Sequence, residues 1–415
     1  MFDKVTEIIS RYTDVNVSEM SESTNLLSDL RLESMDFIDI VCDFEEEFDC
    51  EIPERDFRKL VTIKNIISYF QPKQAEEIKA RSEESEEPAV GYTPSNCKVF
   101  PLTRALAEKV PELVNAVYGA GYPAQYLYSP EKFWEKTVKG GIYPYVAINA
   151  DGKAAGMISL IRLRVNFNAF ELGQLMVTPE YRGTDVAELL ISCISAQELD
   201  FGVIYSESVT GHKFSQRSCL AGGFCDTALK LNIMPSFEPD DGRVSCVVSC
   251  IERGEKELEV YLPQAYAEAV KFSLNGLKPR TYRTSTDNTL GGATMYQIND
   301  EELFTSQYVN VTVSKIGADF TAAFQRLEDY AVENGVKALI INTPLASPGN
   351  NEAVDWLRSK GFLYGGVMPR WLPESDTILM QKLYGNAPEW DKIKLFSEKI
   401  KEIAETVKGC LVART

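Results

Sequence analysis

The stretch LRLESMDFIDIVCDFEEEFDCEIPE, residues 30–54, decides how the first part of the chain is read. Met35, Ile38, Val41, Phe44 and Phe48 recur at the spacing of one helical face. Ser34 stands just before that face, and Glu33 to Asp56 holds eleven acidic residues and one basic. Two readings of the serine follow. It can be an ordinary N-cap, worth about 1 kcal/mol, or a hydroxyl presented at a helix start inside a strongly negative surface. The N-cap reading explains its position but not its neighbours.

On either side of this stretch, Val5, Ile8, Ile9 and Tyr12 share a helical face, and Ile63, Ile66, Ile67 and Phe70 mark another. Residues 1–71 therefore read as a small helical bundle. Residues 73–96 are rich in Glu and Ser and nearly devoid of apolar side chains, too few to offset the entropy of ordering. They read as the core of an acidic linker, 72–97. Residues 1–97 carry 23 acids and 10 bases, so this part supplies −13 of the net charge of −18.

That acidity argues against a nucleic-acid partner, which needs a basic footprint. With 415 residues, 44% hydrophobic and 25% charged, the chain has the composition of a multidomain globular protein. No apolar run approaches a membrane span, and the amino terminus MFDKVTEIIS lacks the order of a signal peptide, so a cytoplasmic location is expected. Nine scattered cysteines without a CxxC pair fit reduced thiols, and the single His212 excludes a histidine-rich metal centre; no metal is expected.

The run Leu32-Glu33-Ser34-Met35-Asp36, with Ile52-Pro53 downstream, resembles the acyl carrier protein family. Its members place a serine within Leu-x-x-Asp-Ser-Leu-Asp, ahead of an acidic recognition helix. Glu33 for Asp and Met35 for Leu are departures that keep charge and bulk. The resemblance covers residues 1–71 and implies a four-helix bundle with 4′-phosphopantetheine attached covalently to Ser34. It also implies two partners: a phosphopantetheinyl transferase, and a ligase or synthase that loads the acyl group.

After the linker the pattern changes. Apolar runs Tyr143–Ile148 and Ala154–Leu163 flank Ala150-Asp151-Gly152, a hairpin signal, behind a helix near 102–118. Strand Phe170–Val177, helix Val186–Glu198, strand Gly202–Val209 and a helix ending at Gly222-Gly223-Phe224 follow, an α/β order. The last third repeats it: strand Tyr308–Val313, helix Asp319–Glu333, strand Lys337–Asn342, helix Asn351–Lys360, then Gly361-Phe362. The Gly-Phe pairs lie 138 residues apart and each precedes a Met-Pro (Met234-Pro235, Met368-Pro369), an imperfect duplication. Residues 386–415 are helical by period, with Ile393, Phe396, Ile400, Ile403 and Val407 on one stripe. That stripe could pack on a domain or on a second subunit.

The order strand, Val177-Thr-Pro-Glu-Tyr181-Arg182-Gly183, helix, strand, helix, Gly-Phe resembles the GNAT acyltransferase superfamily over residues 98–250. The resemblance implies coenzyme A or acyl-CoA held at Met176, Val177, Arg182, Gly183, Thr184, Asp185, Val186 and Ala187, where a helix N-terminus favours anions. The family pattern has glycine where Asp185 stands. That carboxylate either repels a pyrophosphate, favouring a protein-borne pantetheine arm, or only caps its helix. Counting back from Gly223, the family's tyrosine general acid is replaced by Cys219, its Ala by Ser215 and its Asn by His212. Glu171 and His212 are then the candidate bases, His212 being otherwise a hydrogen-bonded loop histidine. Cys219 is either a nucleophile or a packed thiol. Tyr122, Tyr126, Tyr128, Ser215 and Gln216 are candidate acceptor-binding residues, Tyr118–Tyr128 being aromatic and glycine-rich.

Residues 251–385 lack the Arg-Gly turn, having Ser314-Lys315-Ile316-Gly317-Ala318, and read as a degenerate second GNAT-like domain. The expected fold is thus multidomain, α plus α/β: a carrier bundle, an acidic linker, two GNAT-like mixed sheets flanked by helices, and a C-terminal helix. The expected activity is transfer of an acyl group from phosphopantetheine on Ser34 to a small-molecule amine or hydroxyl acceptor. The alternatives are loading of the carrier thiol from acyl-CoA, or a non-catalytic scaffold.

Overall fold

The computed structural model describes residues 1–13, 15–26, 29–30, 40–41, 43–45, 47–48, 52, 60, 62–70, 94–120, 122, 124–195, 201–236, 242–285, 291–300, 303–385 and 387–412. Ser34, most of the acidic linker and the full helix count of the amino-terminal bundle lie outside them. Two compact units are formed, Met1–Val138 with Pro144–Ile158 and Leu175–Cys193, and Lys139–Tyr143 with Ser159–Gln174 and Ile194–Thr415.

In the first unit, α1 (Phe2–Ile9) and α2 (Ile63–Tyr69) bury the apolar faces read from their spacing. Val5, Ile9, Leu26, Ile40, Phe44, Ile52, Leu60, Ile63 and Ile66 are wholly buried in one cluster. Thr62 caps α2 by accepting from the Asn65 amide. Some of the acids are not merely solvated: Glu45 accepts from the Ile52 amide at 2.7 Å, and Asp43 accepts from the Tyr12 hydroxyl at 2.6 Å.

The unit continues with β1 (Lys98–Pro101), α3 (Arg104–Ala107), α4 (Val110–Tyr118) and α5 (Pro130–Val138). Pro111 at the start of α4 fits a first turn and splits the helix expected near 102–118 in two. β1 pairs antiparallel with β2 (Ile142–Ile148), and the expected hairpin turn at Asp151-Gly152 leads into β3 (Ala154–Arg162), with Gly152 at φ +76°. Then come the last residues of β4 (Ala169–Val177), a strand that belongs to the second unit up to Gln174, and α6 (Val186–Ser195). A Cβ on Gly156 of β3 would sit 2.8 Å from the Met176 carbonyl oxygen and 2.9 Å from the Val186 side chain. Its absence lets α6 lie close on the strands.

The second unit holds β5 (Val203–Val209), α7 (Phe214–Ala221), β6 (Cys225–Pro235), β7 (Arg243–Glu252), β8 (Leu258–Leu262), α8 (Ala267–Leu274), β9 (Arg280–Thr284) and β10 (Met295–Asn299). It goes on with α9 (Leu303–Ser306), β11 (Tyr308–Lys315), α10 (Phe320–Glu333), β12 (Ala338–Pro344), α11 (Asn350–Ser359), β13 (Leu363–Leu372), β14 (Ser375–Leu383) and α12 (Glu398–Val412). Its strands are bonded in the order β4-β5-β7-β6-β13-β14-β12-β11-β10, with β8 and β9 a separate parallel pair. β4 runs parallel to β5 from Ala169↔Val203 to Leu172↔Ser206, and Gln174, at φ +58°, bends β4 beyond that pairing. β11 and β12 are likewise parallel, from Tyr308↔Ala338 to Thr312↔Asn342.

The 138-residue spacing of the Gly-Phe pairs recurs among left-handed residues. Gly223 and Gly361 are both left-handed, and so are Asn232 and Arg370, each at φ +51° and again 138 residues apart. β6 and β13 meet at Ala228↔Gly366. Gly366 has φ +129°, and a Cβ there would fall 2.4 Å from the Thr227 carbonyl oxygen and the Ala228 Cα. Gly366→Ala is expected to lower stability by about 3 kcal/mol, read as a shift of the denaturant midpoint, because neither backbone atom can step aside.

A closed set of charges sits in this unit. Arg280 donates to Asp376 (2.8 and 3.1 Å) and to Glu252 (2.8 and 3.0 Å), and Arg370 also donates to Glu252. The Arg280 and Asp376 side chains have no exposure, and Glu252 has 1%. α12 buries Ile400, Ile403, Ala404 and Val407 against Leu229, Leu231, Val247 and Leu363 of its own unit. Ile393 and Phe396, although on the same periodic stripe, precede the helix, in a segment that Gln216 holds outside it.

Candidate functional site

The second unit gathers its charges where β4 and β5 stop pairing. Glu171 is in register with Tyr205, so it shares a face with Tyr205 and, two residues on, Glu207. Lys230 of β6 donates to Glu207, with only 3% of its side chain exposed. Burial alone would push the Lys230 ammonium down; the charges of Glu207, then of Tyr308 and Glu171, outweigh it and hold its pKa above that of an ordinary lysine. The cluster therefore carries a fixed cation between carboxylates. Glu207 and Lys230 were not singled out in the sequence, although a lysine inside the apolar run Ala228–Met234 is a signal in itself.

Cys219 lies on the other face of β5. Its sulfur is 3.1 Å from the Ser206 hydroxyl and 3.9 Å from that of Ser208, and it is 1% exposed. Burial raises its thiol pKa, the serine hydrogen bonds opposing only in part. It is a packed thiol turned away from Glu171. His212 follows the end of β5, and the strand end is about 13 Å beyond the level of Glu171 at 3.3 Å per residue. The two candidate bases are thus not brought together. The His212 ring lies 5.7 Å from Phe214.

Ser215 presents a buried hydroxyl with no hydrogen-bond partner among the described residues. The amide of Gln216 is committed to the chain itself: its nitrogen donates to the carbonyls of Val209, His212 and Lys394, and its oxygen accepts from the Phe396 amide at 3.0 Å. A side chain so occupied and 2% exposed has nothing left for an acceptor molecule. Its grip also overrides the helical period of residues 393–396.

In the first unit, Met176 is buried and Val177 half-buried as β4 ends. Thr184 donates to the Tyr181 carbonyl at 2.6 Å, and Gly183 takes φ +71°. Val186 is wholly buried and Ala187 half-buried at the start of α6. Asp185 accepts from the Ser95 amide at 2.8 Å, so its carboxylate ties down the segment ahead of β1. The Arg182 guanidinium is drawn inward; burial lowers its pKa, offset in part by Tyr118, and its Nη1 is buried without a partner. An orphaned guanidinium N–H at a helix start is a donor fit for an anion such as a phosphate.

The tyrosines brace their own loop. Tyr128 donates to the Gly119 carbonyl at 2.6 Å and accepts from the Tyr122 amide, while the Tyr122 ring lies tilted against that of Tyr118, 4.7 Å between centroids. Tyr126 takes the Lys136 ammonium over its ring at 4.1 Å.

Among the described residues no group of His, Cys, Asp or Glu could hold a metal ion, and no helix is long and apolar enough to cross a membrane.

Residues 3–70 match the family model described as the phosphopantetheine attachment site. The acyl carrier protein of Thermotoga maritima is 38% identical over 73 residues, 18% of this chain and 90% of the relative. That of Chlamydia felis is 36% identical over 74 residues, 18% of this chain and 95% of the relative. The chain thus opens with a domain of the class that bears a phosphopantetheine arm. Through residues 3–70 it belongs to the acyl carrier protein family. A phosphopantetheinyl transferase is the enzyme such a domain needs.

Solved structures of acetyltransferases align with under two fifths of the chain. A spermidine/spermine N-acetyltransferase from Vibrio cholerae is 18% identical, over 38% of this chain and 93% of that one, with a TM-score of 0.32. An acetyltransferase of the GNAT family from Staphylococcus aureus is 18% identical, over 38% and 98%, with a TM-score of 0.29. The ribosomal-protein-S18-alanine N-acetyltransferase from Escherichia coli is 13% identical, over 39% and 96%, with a TM-score of 0.32.

Proposed function

We propose that this chain is an acyltransferase with its own carrier, passing an acyl group from phosphopantetheine on Ser34 to an amine or hydroxyl acceptor. The observation that carries it is the union, in one chain, of a phosphopantetheine attachment domain with an α/β unit whose parting strands hold a charged cluster. The arm, when attached, supplies the acyl group as a thioester. Residues 98–250 and 251–385 are read as two GNAT-like domains, the second degenerate.

Glu171 takes the proton that an acceptor amine must lose as it attacks. Lys230 stays protonated and holds Glu207 in place. Cys219 and Gln216, both turned to other work, take no part. His212 is a second base only for an acceptor that reaches the turn after β5.

Glu171→Gln is expected to slow transfer about 100- to 10,000-fold while leaving modification of Ser34 unchanged. Single-turnover transfer from acyl-loaded protein, read by intact mass, checks this. Wild-type rates in the variant would remove Glu171 from the role.

The reverse reading, loading of the carrier from acyl-CoA, is favoured by one observation, the unpartnered buried Nη1 of Arg182. Acetyl-coenzyme A added to the phosphopantetheinylated protein distinguishes the two: acetyl gained on the arm, and lost in an Arg182→Met variant, supports loading.

A further inference from the structure

Cys225 opens β6 and Cys250 stands near the end of β7, and the antiparallel register sets them directly opposite each other. Residues so paired leave the sheet from the same face with Cα atoms about 4.5–5.5 Å apart, within the span of about 4.4–6.8 Å that a disulfide bridges. Both thiols are free. Cys246, four residues earlier on β7, faces Lys230 instead.

The two sulfurs are unlike. Cys250 has no exposure, and burial, with Cys225 beside it, pushes its thiol pKa well up. Cys225 is half-buried, and the Lys399 ammonium donates to its sulfur at 3.1 Å. Lys399 is held there by the carbonyls of Ser273 at 3.0 Å and Asn275 at 2.6 Å. A fixed ammonium is the neighbour that reactive thiolates use. A Cβ on Gly276 would lie 3.3 Å from the Cys225 sulfur, and Gly276 lines a cleft of about 740 Å³ together with Lys271, Asn275, Tyr282 and Glu402. A small reagent in that cleft is separated from Cys225 by a residue without a side chain.

We propose that Cys225 and Cys250 are a peroxide-reactive pair that closes to a disulfide across the β6–β7 ladder. The Cys225 sulfur attacks one peroxide oxygen and the O–O bond breaks, giving a sulfenic acid and water. The Cys250 sulfur then attacks that of Cys225, the S–O bond breaks, and a second water leaves. The two thiols lose two electrons and two protons, and the hydrogen peroxide is reduced to two waters. Cys225 is the attacking thiol because it has the cation and the cleft; Cys250 resolves because it is opposite and shielded.

The test treats the full-length reduced protein with hydrogen peroxide, alkylates it under denaturing conditions, and maps the peptides. The expected result is a cross-link between the Cys225 and Cys250 peptides, reversed by dithiothreitol. Cys250→Ser should instead accumulate a sulfenic acid at Cys225 that dimedone traps, and Cys225→Ser should leave Cys250 open to alkylation. Lys399→Met should slow the reaction about tenfold. Full alkylation of both thiols in the oxidised wild type, or a cross-link joining other cysteines, overturns the proposal without recourse to any variant. An unchanged rate in Lys399→Met overturns the assignment of Cys225 as the attacking thiol.

Discussion

Replacing Ser34 with alanine is expected to remove the phosphopantetheine adduct outright and to reduce transfer from the chain's own carrier to background. The attachment is a covalent bond to one oxygen, so no neighbouring side chain substitutes for it, and the effect is all or none. Intact mass after co-expression with a phosphopantetheinyl transferase reads the first part; loading with an acyl group and addition of amine reads the second. The variant differs in kind from Glu171→Gln, which is expected to keep the adduct and slow the transfer. An adduct that survives in Ser34→Ala refutes the attachment point. Equal turnover of acyl-CoA in wild type and variant refutes the carrier as donor.

The second large effect is on stability. Arg280→Met is expected to cost about 3–5 kcal/mol, the range for removing one member of a buried ion set. Arg280 is the member shared by both carboxylates: it spans Asp376 with two hydrogen bonds and Glu252 with two more. Without it Asp376 is left buried without its cation, and Glu252 keeps Arg370 and the Lys278 amide. The control is Arg283→Ala. Arg283 pairs with Glu259 at 3.1 Å, but both side chains are about half exposed, so the loss should stay below about 1 kcal/mol. Denaturant midpoints of the two variants, measured side by side, decide the matter. A loss at Arg280 as small as at Arg283 would show that water reaches the set.

The strands and helices of the α/β part were legible because their signals are local. Phe170–Val177, Gly202–Val209 and Asp319–Glu333 were read from period and turn residues and occur as Ala169–Val177, Val203–Val209 and Phe320–Glu333. The 138-residue spacing of the Gly-Phe pairs recurs in the left-handed residues Asn232 and Arg370. What was not legible depends on partners far along the chain. Lys230 meets Glu207 through a sheet order, β5-β7-β6, that no single run of residues states. Arg280 and Asp376 lie 96 residues apart. β8 and β9, a short parallel pair, carry too weak an alternation to announce themselves. At 393–396 the periodic stripe pointed to helix, and one buried glutamine amide outweighed it.

That glutamine recognises only peptide groups. Its contacts at 394 and 396 are to a carbonyl and an amide, which every residue except proline at 396 can offer. The clasp itself therefore sets no side chain at 394 or 396, although Leu395 between them packs on the cluster beneath α12, and it fixes the number of residues up to the first buried turn of that helix. A single-residue insertion there would rotate Ile400, Ile403 and Val407 by about 100° around the helix axis, turning the helix's apolar side away from β6, β7 and β13. Along this stretch the length of the chain sets which side of α12 is buried.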